Sequence, residues 1–303
     1  MPPRRAVGQT ARPVRADPYA AAMTTVGVPG SREVARGVEV VLDGSRGEVE
    51  VSRYAQALTD TVWLLSSIDR LEVQESSARL HWTVADLSAN GVLRARLTPR
   101  TIPEKRSLGS ASVPPTALVD GLLSLAERAE IPDLFTEESV KRVDRLGQPS
   151  RGVRGVTLAS VNAEGYAGEA VRISDLVRSN AKAAIASRET SVGSVSGIID
   201  VLNARRRGPM RGSIYNPRTR HAVTCLVPAE RADTFVEAFG HRVLVGGVLH
   251  RNELGQVISV DVDEVQVMPE GFRTPTVDEL LGVDPAWTGE LSTSDYLARL
   301  RGA

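Results

Sequence analysis

Cysteine, lysine and aromatic residues are scarce in this 303-residue chain. Cys225 is the only cysteine, which excludes an intrachain disulfide and a zinc site built from several cysteines. Because Cys225 lies in the apolar run AVTCLV, we expect a buried side chain rather than a nucleophile. The formal net charge is zero, so any attraction for nucleic acid or for a membrane must come from a local patch.

Long hydrophobic runs are also missing. No apolar run approaches the roughly 18 residues of a membrane-spanning helix. Residues 1–34 contain Arg and Pro but no continuous apolar core, which argues against a secretory signal and predicts a disordered extension. Together these features predict a cytoplasmic protein.

Sequence motifs that indicate common cofactor sites and catalytic centres are absent as well. The chain has no Walker-type loop, no Gly-x-Gly-x-x-Gly and no Gly-x-Ser-x-Gly elbow. Its four histidines (81, 221, 241 and 250) lack the spacing of a zinc site. We therefore predict no cofactor and no metal, and assign no catalytic residue.

Residues 35–190 read as a mixed α/β domain. GVEVVLD at 37–43 predicts a strand, and apolar positions at helical spacing predict a helix over 52–71. Strict alternation predicts strands at 79–86 and 92–99, joined by a hairpin at Asn90-Gly91. Two helices follow, at about 114–130 and 136–146. Two strands are expected at 153–160 and 169–174, and another helix from 175.

Residues 191–270 have a more informative order of elements. Three strands, a helix opened by Pro228 and two more strands fit an OB-like five-stranded barrel. Glycines inside the strands, at 193, 197, 246 and 247, are typical of the bends in small barrels. The fold class that we predict is α+β: a mixed α/β domain, an OB-like β-barrel and a helical tail.

The tail, residues 271–303, carries large apolar side chains on a short segment. A short helix is expected near 276–282, and Ser292 with Asp295 predicts the start of a last helix. These side chains either pack on the rest of the chain or bind a partner protein. The partner-binding candidates are Trp287, Leu291, Tyr296, Leu297 and Leu300.

A local basic patch surrounds the first barrel strands. Residues 194–220 hold six arginines and one acidic residue, Asp200. In an OB-type barrel this region, with the loop between the last two strands, forms the ligand face. The patch is either a solvated surface, a site for nucleic acid or a site for an acidic protein. The nucleic-acid-binding candidates are Arg205, Arg206, Arg207, Arg211, Tyr215, Arg218, Arg220, Arg251 and Asn252.

The second half, from GSVSGIIDVLNARRRGPMRGSIYNPRTRHAVTCLVP to VDELLGVDPAWTGELSTSDYLARLRG, resembles a family of uncharacterised bacterial proteins. The resemblance extends through YAQALTDTVWLLSSIDR and covers about residues 35–303. The tail is similar to C-terminal segments of antitoxin-like proteins that are paired with nuclease toxins. The resemblance implies no catalytic residues.

These features support three hypotheses. The first is a non-enzymatic cytoplasmic binding or regulatory protein, antitoxin-like, that engages a protein partner such as a nuclease-type toxin through its tail. The second is a protein that binds single-stranded nucleic acid on the Arg-rich barrel face. The third is an enzyme whose site lies between domains and leaves no motif in the sequence.

Overall fold

A computed structural model describes residues 36–44, 47–74, 77–89, 92–102, 110–150, 152–165, 167–203, 209–269, 288–289 and 291–301. The extension at 1–34, the arginines at 205–207 and the helix expected near 276–282 lie outside these residues. Within the described ranges, no helix is both long and apolar enough to cross a membrane. Helices and two sheets are both present, which confirms the α+β class.

The first sheet is antiparallel throughout. Its strands are β1 (Gly37–Asp43), β2 (Leu80–Ser88), β3 (Leu93–Thr101), β4 (Gly155–Val161) and β5 (Ala167–Arg172), in the spatial order β2-β3-β1-β4-β5. Alternation along β1 decides which face is buried, since Val38, Val40 and Leu42 all point into the core. Glu39 lies on the opposite face, where it pairs with Arg94.

Four helices lie on the apolar side of this sheet, three of them in contact with its strands and the fourth packed on two of the others. They are α1 (Val51–Val73), α2 (Val113–Glu127), α3 (Glu137–Gly147) and α4 (Asp175–Ala184). The start of α3 is fixed by a capping box, in which Thr136 and Ser139 each accept from the other's backbone N–H. A buried ion pair between Asp69 and Arg79 (2.8 Å) joins the last turns of α1 to the start of β2.

The second sheet closes into a five-stranded barrel. Its strands are β6 (Glu189–Asn203), β7 (Met210–Asn216), β8 (His221–Val227), β9 (Arg242–Arg251) and β10 (Val257–Val267). The order around the barrel is β6-β7-β8-β10-β9, β9 returns to β6, and the β8–β10 pair is parallel. Helix α5 (Ala229–Glu237) joins β8 to β9, and its Phe235 is fully buried in the barrel core. Gly212 makes room for this ring, because a Cβ there would lie 2.4 Å from Phe235 Cε1.

The double glycine of β9 is a strand bend, as its position in the sequence predicts. Gly246 and Gly247 lie at a register shift between β9 and β10. Gly247 has a φ of 154°, and a Cβ there would lie 1.9 Å from the carbonyl oxygen of Asp261. Only glycine allows the two strands to approach so closely at this bulge.

The loop between β9 and β10 holds the barrel against the helices. Asn252 Nδ2 donates to the carbonyl oxygen of Ala184 at the end of α4 (3.0 Å), while its Oδ1 accepts from the N–H groups of Leu254 and Gln256. Gln256 hydrogen-bonds both backbone groups of Ile131, at 2.8 and 3.2 Å. The loop thus connects the barrel to the helical layer of the first sheet.

The element predictions hold with one adjustment, at the start of β6. The strand expected at 193 begins at Glu189, because its first residues are polar and exposed and so carry no hydrophobic signal. The last helix, α6 (Thr293–Arg301), begins where predicted, with the Asp295 N–H donating to Ser292 Oγ at 3.1 Å. The domain boundary near residue 190 stays a prediction.

Candidate ligand cleft

A polar cleft of about 510 Å³ lies between helices α1 and α3 and the outer face of β7 and β8. Alternate residues of β7 share this outer face, so Arg211, Ser213 and Tyr215 all point toward the helices. The helices do not close over the whole face. They cover Tyr215 and leave Arg211 and Ser213 in the cleft.

A hydrogen bond between the barrel and α3 closes one side of the cleft. Thr224 of β8 donates to Glu137 of α3 at 2.7 Å, which ties the barrel to the first turn of the helix. Burial acts to raise the pKa of Glu137, but hydrogen bonds from Lys141 and Thr224 outweigh it and hold the pKa below its ordinary value. On the helical wall, the Arg142 guanidinium stacks 4.1 Å from the centre of the Trp63 ring.

The charges on the helical wall are paired with one another. Arg142 forms ion pairs with Glu138 and with Asp60, which is fully buried, and Lys141 pairs with Glu137. Burial acts to raise the pKa of Asp60, but hydrogen bonds from Arg145, Gln56 and Arg142 lower it below its ordinary value. These ion pairs fix the side chains of the helical wall in place. Because their charges neutralise one another, they offer little net charge to a ligand.

Arg70 and Arg211 differ from the rest of the lining. Arg70 is on the last turn of α1 and Arg211 is on β7, on opposite walls of the cleft. Neither forms an ion pair within 4.0 Å with any residue that the structure describes. Two guanidinium groups therefore face a polar cavity with their charge uncompensated by a salt bridge.

The buried carboxyl group of Asp200 lies near Arg70. Both carboxylate oxygens of Asp200, on β6, are shielded from solvent, and neither has a hydrogen bond of good geometry among the described residues. Burial raises the pKa of Asp200 to about 6, and the nearby Arg70 and Ser213 offset only part of this effect. Neither Arg70 nor Asp200 was among the site residues predicted from the sequence. The only signal was an acid flanked by Ile199 and Val201 in an apolar strand.

The structure places two of the predicted nucleic-acid contacts in the protein interior. Tyr215 is only 4% exposed, so its ring face offers no platform for a base, and burial raises its pKa to about 12. Asn252 is 0% exposed and holds the barrel to α4. Packing between the barrel and the helices occupies both side chains and leaves little of their surface open to a ligand.

The remaining basic candidates are not gathered into one patch. Arg220 pairs with Glu72, and Arg251 donates to the Gly255 carbonyl oxygen at 2.8 Å. Arg218 lies in the exposed turn after β7. Only Arg211 lines the cleft, and Arg205–Arg207 lie outside the described residues.

In the tail, Leu291 is 37% exposed and Tyr296 is half-buried. Trp287 and the side chains of Leu297 and Leu300 lie outside what the structure describes.

The nucleophile candidates do not form a concave catalytic centre. Cys225 is fully buried in the barrel core, and burial raises the pKa of its thiol well above the ordinary value. His250 Nε2 contacts Asp261 at 3.0 Å and its Nδ1 lies 3.4 Å from Ser187 Oγ, a triad of hydrolase residue types. Ser187 and Asp261 are open to solvent, however, so water would compete at the reacting atoms. Across the described ranges, no group of three or more His, Cys, Asp or Glu could hold a metal ion.

No family model matches the chain, and neither the curated proteins nor the solved structures contain a significant match to it. The geometry of the cleft is therefore the basis for the functional argument.

Proposed function

We propose that this chain is a non-enzymatic binding protein that holds a small anionic ligand in the cleft between its helices and an OB-type barrel. The strand order β6-β7-β8-β10-β9, with a helix between the third and fourth strands, supports the OB-type assignment. The cleft uses the outer face of the second and third barrel strands, which is the usual ligand face of that fold.

The observation that carries the proposal is the pair of guanidinium groups of Arg70 and Arg211, which line the cleft and form no salt bridge within 4.0 Å among the described residues. Guanidinium groups bind phosphate and carboxylate through charge-assisted, often bidentate hydrogen bonds. Ser213 supplies a hydroxyl between them on the barrel wall. A cavity of about 510 Å³ has the size of a small-molecule site. A phosphate-bearing metabolite is the ligand class that best fits these groups.

A nucleic-acid strand fits this geometry less well than a small anion. The helices cover Tyr215, which is the aromatic residue that a base would stack on. The bond between Thr224 and Glu137 closes one side of the cleft, so a polymer has no continuous path across β7 and β8. Asn203, which also lines the cleft, is followed in the sequence by Arg205–Arg207.

Isothermal titration calorimetry with pyrophosphate, adenosine monophosphate and an oligo-dT strand tests the proposal. We expect at least one of the two small anions to bind, and Arg211→Met to weaken binding at least tenfold. Arg231→Met, on the exposed face of α5, is the matched control and should change nothing. The absence of binding by both small anions would refute the proposal. Binding of oligo-dT alone, with steep salt dependence, would favour the nucleic-acid hypothesis.

A second candidate function is regulatory binding of a protein partner, antitoxin-like, through the tail. The observation that favours it is the surface of α6, whose residues 293–295, 298 and 299 are exposed. Deletion of 272–303 should leave a folded, soluble protein that no longer binds a nuclease-type toxin encoded by a neighbouring gene. Aggregation of the truncated chain would show instead that the tail packs on its own protein.

A further inference from the structure

The first half of β6 is a free strand edge. β6 pairs with β9 from Glu189 to Ile198, but its other edge pairs with β7 only from Ile198 to Asn203. In the part of the chain that the structure describes, no strand pairs with that second edge between 189 and 197. The first half of β6 thus joins the barrel through β9 and the second half through β7, and within the described residues the first half keeps one edge that no strand pairs with.

This edge carries none of the usual protection against pairing. Free edges are commonly blunted by lysine, proline or an inward-pointing charge. Residues 190–197 read TSVGSVSG, without a charged side chain or a proline. Val192 is 88% exposed, and Ser191 and Ser194 beside it are exposed as well. Such a segment is a template for an added strand.

An open cavity of about 350 Å³ adjoins the edge. Ser194, Val195 and Ser196 of β6 form one wall, and the starts of β8 and β10 form the other walls. Most of its surface is aliphatic, contributed by Val195, Ile214, Val223 and Val257. A strand that paired with β6 would place alternate side chains over this cavity.

We propose that the free edge of β6 and the adjoining cavity bind an extended segment of a partner protein that carries bulky apolar residues at alternate positions. Backbone hydrogen bonds to the edge would supply affinity, and the cavity would select the side chains. A second copy of this chain fits less well, because its own 190–197 segment offers only two valines, and Val195 already lines the cavity. This proposal does not depend on the anion cleft.

A phage-displayed library of nine-residue peptides, panned on the full chain, provides the test. We expect enriched peptides to carry Leu, Ile, Val or Phe at every second position and to protect the amides of 190–196 from hydrogen exchange. The double variant Val192→Lys, Ser194→Lys alters only exposed side chains and should weaken the enriched peptides at least tenfold. Leu176→Lys, at an exposed apolar position on α4, is the matched control and should bind them normally.

Three results would overturn the proposal. They are the absence of enrichment, equal binding by the double variant, and protection of amides elsewhere in the barrel. Sedimentation that showed a dimer of the wild-type chain, lost in the double variant, would assign the edge to a second copy instead.

Discussion

Replacement of Asp200 by asparagine should stabilise the protein at neutral pH. The wild-type carboxyl group is shielded from solvent and lacks a hydrogen bond of good geometry within the described chain. Its ionisation in the folded state is therefore costly, whereas an amide has no charge to bury. Arg70 from α1 and Ser213 from β7 already favour the ionised form, and the pKa near 6 includes their effect.

The size of the gain follows from the pKa in the two states. Burial raises the pKa of Asp200 from 3.8 to about 6 on folding. One pKa unit corresponds to about 1.4 kcal/mol, so the full cost of ionisation is about 3 kcal/mol. Between these two values the folded state binds more protons than the unfolded state. The free energy of unfolding of the wild type therefore falls as pH rises through this window, and the cost is complete above it.

Urea denaturation of wild type and Asp200→Asn between pH 4 and pH 8 measures this difference directly. The variant should gain roughly 2.4 kcal/mol relative to wild type as pH rises from 4 to 7, because a small part of the full cost is already present at pH 4. Asp233→Asn, which changes an exposed carboxylate on α5, controls for general charge effects and should follow the wild-type profile. A difference between Asp200→Asn and wild type that is independent of pH would refute the argument.

Three further predictions concern other parts of the molecule. Asp69→Asn removes the negative charge from the buried ion pair with Arg79, which is 1% exposed, and should lower the free energy of unfolding by about 3–5 kcal/mol in urea melts. Phe235→Ala removes the ring that fills the barrel core and should cost about 3–5 kcal/mol, with loss of barrel amide protection in hydrogen exchange. Ionised Asp200 and a bound anion compete for Arg70, so in calorimetry Asp200→Asn should tighten anion binding relative to wild type at pH 7.5 and have little effect at pH 5, where the wild-type carboxyl group is mostly protonated.

The strands and helices were largely predictable because each is encoded locally. The alternation of apolar and polar residues identified β2 and β3. Pro228 and Gly240 marked the two ends of α5, the helix whose Phe235 fills the barrel core. Gly246-Gly247 was recognisable as a strand bend because a helix does not follow it. Each of these signals spans fewer than about twenty residues, which is the range over which a periodic pattern decides structure.

The cleft was not predictable, because its walls come from segments far apart in the chain. The bond from Thr224 to Glu137 joins residues that are 87 positions apart. Nothing near Tyr215 indicates that α1 and the α2–α3 connection will cover it. Arg70 looks like any basic residue in the last turn of a helix, where it would suit the helix dipole. Only the packing of helices on the barrel shows that Arg70 lines a cavity and forms no salt bridge with a described residue.

The packing that buries Tyr215 also explains why the cleft is small. Arg220 lies in the turn after β7, pairs with Glu72 at the end of α1 and lies near Asp133 before α3. These contacts anchor one end of the β7–β8 hairpin to the helices, and Thr224 with Glu137 anchors its middle. The outer face of β7 is thereby divided into a covered half and an open half, and the open half holds Arg211. The cleft is therefore limited to the open half, and β6, next to β7, keeps one edge of its first half unpaired among the described residues.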